Sequence, residues 1–213
     1  MKKYIFCLFL VFLFISCVDN ILSPEQLIPK IEVDEKNDLF IYDETSNNYQ
    51  IKVNNKNYLK HNGYSIWNIL GKNQKDTFQN LSVTVAKYSG VADMGYGIVF
   101  ACKEDLDSTS MLAILITTGG YYCIGQVING EFRMNKKWSY SQYLVTGYEK
   151  ENKITVTHNL ENNRFEIYFN NHMECEIQNT VSTFKDLGWG FVTTISPYEN
   201  FDTSYVCVMY KVD

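Results

Sequence analysis

The stretch from Gly95 to Trp138 reads GYGIVFACKEDLDSTSMLAILITTGGYYCIGQVINGEFRMNKKW. It holds three apolar runs, Gly97 to Cys102, Met111 to Thr117 and Tyr121 to Ile128, parted by a polar loop and by a turn on Thr118-Gly119-Gly120. Each run is short and rich in Ile, Val, Tyr and Phe, which fits strands rather than helices. The order predicts a β-meander. Its second strand is apolar at nearly every position, so it should lie centrally with both faces covered or with one lining a groove.

Outward from this core, the N-terminus carries an address. Met1-Lys2-Lys3 precedes an apolar run from Tyr4 to Ile15 and then Ser16-Cys17, after which the composition turns polar. A basic start, about a dozen apolar residues and a small residue before the boundary describe a secretory signal, too short for a span of about 20 residues. Phe14-Ile15-Ser16-Cys17 resembles the lipobox of bacterial lipoproteins, although Phe14 and Ile15 are bulkier than its usual residues. That resemblance implies cleavage after residue 16 and a lipid on Cys17 as the membrane anchor. Residues 17–36, with Pro24 and Pro29, read as a lipidated terminus and spacer, and residues 37–213 as one domain.

Loss of residues 1–16 removes Lys2 and Lys3 and no acid, moving the formal charge from -5 to -7. An acidic chain lacks the basic field that nucleic acid or an anionic membrane surface would require. Cys102, Cys123, Cys175 and Cys207 remain in the domain, each inside an apolar run. An exported protein can oxidise them, but strand cysteines are also common small hydrophobes, so both states stay open. The residues assign no oligomeric state.

Strand and turn signals continue without a break from Asn37. Leu81, Val83 and Val85 alternate with Ser82, Thr84 and Ala86. Asn129-Gly130 predicts a two-residue hairpin, closing Tyr121–Ile128 onto a short strand Glu131–Met134. Ile154 and Val156 should point inward, as should Phe165, Ile167 and Phe169. Asn170-Asn171 turns the chain into a strand with Met173, Cys175 and Ile177 inward and Glu174 and Glu176 outward. The count is eleven or twelve strands, with one turn of helix at most near Thr180–Leu187. Such spacing indicates an all-β, two-sheet antiparallel sandwich or a barrel.

The succession YQIKVNNKNY, FQNLSVTVAKYSG, YGIVFACKEDLDSTSMLAILITTGGYYCIGQVINGEF, NKITVTHNLENNRFEIYFNN and GWGFVTT resembles the concanavalin A-like jelly roll. It is most similar to the laminin-G-like and family 16 glucanase-like modules of secreted bacterial proteins. The likeness lies in turn glycines and strand alternation across residues 37–213, so it implies a fold more than a function.

A retaining glucanase needs two carboxylates about 5 Å apart on one strand face. No Glu-x-Asp-x-x-Glu occurs, and Glu174 and Glu176 read as solvated edge carboxylates. Catalytic residues are therefore assigned to none. Lys103-Glu104-Asp105-Leu106-Asp107 reads as a solvated loop, since its spacing fits no defined calcium loop. His61, His158 and His172 lack metal-ligand spacing, so no metal or other cofactor is expected. Trp67 and Trp189 read as core. The remaining signal is an aromatic surplus of 15%, with Tyr121, Tyr122, Trp138, Tyr140 and Tyr143 close to Arg133, Lys136 and Lys137. Sugar rings stack on aromatic planes while polar side chains take the hydroxyls. Tyr122, Arg133, Trp138 and Tyr140 are the candidate ligand residues; Tyr121 and Tyr122 cannot share a face.

These features predict a lipid-anchored envelope protein, at the outer membrane or cell surface, whose non-catalytic jelly roll binds a glycan or surface polymer. The alternatives are a structural or host-interaction lipoprotein and, third, a divergent glycoside hydrolase.

Overall fold

The computed structural model describes residues 40–43, 48–53, 64–70, 80–105, 108–128, 131–179, 188–195 and 206–212, with 40–43, 53, 64–70, 103–105, 108–109, 131, 195 and 206 as backbone only. Cys17, the leader, the spacer, His61, Asn129-Gly130 and the segment 180–187 lie outside them. The described residues form thirteen strands: β1 (Phe40–Asp43), β2 (Asn48–Val53), β3 (Tyr64–Leu70), β4 (Asn80–Ser89), β5 (Tyr96–Asp105), β6 (Ser108–Ile116), β7 (Tyr121–Ile128), β8 (Glu131–Tyr140), β9 (Asn152–Asn159), β10 (Arg164–Phe169), β11 (His172–Gln178), β12 (Gly188–Ile195) and β13 (Val206–Val212). They form two antiparallel sheets, ordered β1-β2-β13-β4-β9-β10-β11 and β3-β12-β5-β6-β7-β8. The meander is β5 to β8, and the last two strands go one to each sheet.

Alternation explains the interior. Val83 and Val85 from β4, Ile154 and Val156 from β9, and Phe165, Ile167 and Phe169 from β10 meet Ile98, Phe100, Leu112, Ile114 and Phe191 of the facing sheet, all fully buried. Trp189 is partly buried against this core, edge-on to Phe191. β6 is central, as its composition requires. Its even residues enter the main core, while Met111, Ala113 and Leu115 join Val99, Cys123, Val127 and Val192 in a second buried cluster on the outer face.

Three boundaries differ from the sequence reading. Lys103 to Asp105 is not loop: it pairs with Ser108 to Ser110, and a register shift after Phe100, where Ala101 has φ 51°, carries β5 past its apolar run. β8 does not stop at Met134 but continues to Tyr140, because an edge strand can carry the polar Asn135-Lys136-Lys137 and accommodates it with two register shifts against β7. In β11, a shift opposite Ile167 and Tyr168 leaves Glu174 unpaired, so Met173 is exposed while Cys175 and Ile177 still pack on the core. The hairpin before β11 is as expected, with Asn170 and Asn171 both at positive φ, the pattern of a type I′ turn. Cys102, Cys123, Cys175 and Cys207 are all free thiols.

Candidate functional site

β7 and β8 decide which aromatics face solvent. Even residues of β7 point inward, so Tyr122 is fully buried with its ring edge-on to Phe169. Tyr122 therefore cannot line an external groove, contrary to the sequence reading; its neighbour Tyr121 takes the outward position. Tyr121 and Tyr140 are cross-strand partners, edge-to-face at 5.7 Å, and stand 49% and 59% exposed. Trp138, 41% exposed, lies on the same face: its Cη2 stands 3.1 Å from where a Cβ on Gly95 would be, and Leu115 Cβ is 3.0 Å from that point. Arg133 is exposed but pairs with Gln126, an inward position of β7, and so parts from the three aromatics. Phe132 closes the far end of the outer face over Gly125, where an added Cβ would sit 2.1 Å from its Cζ. The middle of this face is thus filled, and the exposed aromatics form its rim.

Three loops hold that rim. Thr118 donates from its amide and its hydroxyl to the carbonyl of Ala92, and its own carbonyl accepts from Gly147. Ser141 N donates to Gly120 O, and the hydroxyl of Tyr148 bonds to Gly90 O at 2.5 Å. Gly120, at φ 81°, leaves room for Tyr140 Cε2 at 3.2 Å from its absent Cβ. Beneath these loops Lys87 is buried and donates to the carbonyls of Val91 and Met94. Burial lowers its amine to about 8, with Asp93 acting in the opposite direction. Asn152 forms a further strut, exchanging hydrogen bonds with the backbone of Val145 and accepting one from Asn170. Aromatics on a cross-tied scaffold lose little freedom on binding, which favours recognition of a flat apolar ring face.

Glu174 is not a solvated edge carboxylate. The irregularity in β11 turns it toward the other sheet, where Oε1 accepts from the Tyr122 hydroxyl at 2.7 Å and Oε2 from Ser141 at 2.6 Å. Lys136 Nζ lies 4.8 Å from the centroid of the Tyr122 ring. Burial, together with this bond to a carboxylate, pushes the Tyr122 phenol well above its ordinary range. The group is a brace that ties β11, at the edge of one sheet, to β7 and to the residue after β8 in the other.

The carboxylates that do face each other are Glu166 and Glu176, direct partners on β10 and β11. Sequence spacing hid this pair because it is made by register. Glu166 accepts from Tyr168 and Asn159, and Glu176 from Arg164 at 2.9 Å. His158 is buried against Phe165, and His172 stacks on Tyr143. Among the described residues no group of three or more His, Cys, Asp or Glu is placed to hold a metal ion.

No protein-family model matches the chain, and no curated protein matches it. Among solved structures it is similar to an endo-acting O-glycanase of the human gut microbiota, with 11% identity over 89% of this chain and 88% of that one, TM-score 0.55. It is also similar to a β-glucanase of Bacillus licheniformis, with 8% identity over 82% and 80%, TM-score 0.52. The carbohydrate-binding module CBM66 of Bacillus subtilis aligns at 9% identity over 81% and 88%, TM-score 0.45. At such identities the likeness is one of fold, carried by the first two. The chain folds as a two-sheet antiparallel concanavalin A-like jelly roll, unclosed at its edges.

Proposed function

We propose that this jelly roll is a non-catalytic carbohydrate-binding domain, tethered to the bacterial cell envelope through a lipid on Cys17 and displayed at the outer membrane or surface. The observation that carries the reading is the trio Tyr121, Trp138 and Tyr140, exposed together on one face over a hydrogen-bonded scaffold. Exposed Trp and Tyr offer apolar planes for the C–H faces of a sugar while keeping an N–H or O–H for its hydroxyls. Binding is favoured over hydrolysis because Glu174, the carboxylate tied to Tyr122 and Ser141, spends both oxygens on these hydroxyl donors, and because Glu166 and Glu176, on the sheet that does not carry the rim, have partners of their own.

A glycan array probed with residues 18–213 and with the Trp138→Ala variant tests the binding. Retention of at least one glycan class that the variant loses supports it; no retention, or retention unchanged by the variant, refutes it. Cys17→Ser tests the tether. The variant should leave the membrane fraction and lose labelled palmitate, and one that keeps both contradicts the assignment.

A further inference from the structure

The seven-stranded sheet carries, on the face opposite the core, a hollow of about 320 Å³ that the aromatic rim does not touch. Its origin is in the register. Met209 and Ala86 are cross-strand partners, as are Lys211 and Thr84, and Lys211 also pairs with Asn48. Ala86 stops at Cβ and is buried, while its neighbours are long, so the sheet surface dips at that point. Tyr88, two residues along the same face and 42% exposed, forms one wall, and Glu151 just before β9 forms another.

The lining selects a ligand by its chemistry. Glu151 and Lys211 carry opposite charges and belong to no ion pair among the described residues, so an ion of either sign meets a like charge as well as an opposite one. They stand on either side of β4, two strand spacings apart and offset by two residues along the strands, which sets their backbones roughly 12 Å apart. That span suits groups on opposite edges of a ring better than the adjacent amine and carboxylate of an amino acid. The Thr84 hydroxyl adds a donor and an acceptor between them and the Asn48 amide does so on the far side of Lys211, while Met209 and Tyr88 give an apolar floor and wall. The volume lies at the lower end of the roughly 300–1,000 Å³ of small-ligand clefts, which limits the occupant to one or two rings. We infer that this hollow is a second binding site, for a single neutral polyhydroxylated ring such as a terminal sugar residue, with Glu151 accepting from its hydroxyls, Lys211 and Asn48 donating to them, and Tyr88 against its C–H face.

The test is a titration of residues 18–213 with methyl glycosides of common hexoses and N-acetylhexosamines, followed by amide shifts in ¹H–¹⁵N spectra. At least one glycoside should shift the amides of Thr84, Ala86 and Met209 in the millimolar range. Glu151→Gln and Lys211→Ala, both at surface positions, should each weaken that binding about tenfold or more, and Ala86→Leu, which fills the hollow, should abolish it. Trp138→Ala should leave it unchanged, so this site and the rim fail separately. The inference is overturned if no glycoside shifts those amides, or if the shifts survive in both Glu151→Gln and Lys211→Ala.

Discussion

Replacing Glu174 should harm this fold far more than replacing a surface carboxylate does. Its two oxygens accept from Tyr122 at 2.7 Å and from Ser141 at 2.6 Å, and both donors are buried, Tyr122 fully and Ser141 at 2% exposure. Glu174→Ala leaves both hydroxyls without a partner, at about 1–3 kcal/mol for each stranded donor, so a loss of about 3 kcal/mol follows. Tyr122→Phe removes one donor and lets the freed carboxylate oxygen meet water, for about 1–1.5 kcal/mol. The order of the two is the diagnostic, because the residue nearer solvent costs more than the one in the core. For a domain of this size about 3 kcal/mol lowers Tm by about 6–12 °C. Urea unfolding of the wild type, both single variants and the double variant, followed by tryptophan fluorescence, measures the costs and the coupling. A coupling of about 1 kcal/mol or more is expected between residues in one hydrogen-bonded group. If Glu174→Ala stays within about 0.5 kcal/mol of wild type, the value for an ordinary surface change, the brace does not exist.

Gly125→Ala should cost about 1–3 kcal/mol, since the new methyl would stand 2.1 Å from Phe132 Cζ, and Phe132→Ala in the same chain should recover part of it; additive losses in urea would contradict the packing. Stability should peak near pH 9. Lys87, lowered to about 8 by burial, holds its proton less well than in the unfolded chain, so stability rises with pH above that value by about 1.4 kcal/mol per unit. Cys123 and Tyr96, each raised to about 12 by burial, keep protons that the unfolded chain sheds above about pH 9 and 10, so stability then falls. Lys87→Met should flatten the rise between pH 8 and 9, and an unchanged profile in thermal melts would refute this. Cys102, Cys123 and Cys207, free and buried, should resist a disulfide thiol reagent until the chain unfolds, while the half-buried Cys175 reacts first; four equally fast thiols in the native state would contradict the burial.

Alternation made the sandwich legible. Phe165, Ile167 and Phe169 point to one core because a two-residue period permits nothing else, and β6 declared its central place by being apolar at every position from Met111 to Ile116. What escaped was made by pairing. Glu174 looked outward on parity alone, and one register shift reversed it; the same kind of shift lets β8 run through Asn135, Lys136 and Lys137 as a strand. Parity also forced a choice between Tyr121 and Tyr122, and only the partner strand shows that Tyr121 faces out with Tyr140. Trp138 and Tyr140 were legible as surface aromatics because they sit among lysines. Arg133 was not separable from them, since its face depends on the two irregularities between it and Tyr140. Glu166 and Glu176 meet across strands ten residues apart, and the hollow over Ala86 needs β2, β13, β4 and the residue before β9 to form, so neither has a local signal.

The aromatic rim is tested most directly by affinity electrophoresis in polysaccharide gels, comparing wild type with the double variant Trp138→Ala, Tyr140→Ala. The account predicts that at least one polysaccharide retards the wild type and that the double variant, folded by circular dichroism, runs about as fast as in a gel without sugar. Equal retardation of both proteins, or none of the wild type on any polysaccharide, would contradict it.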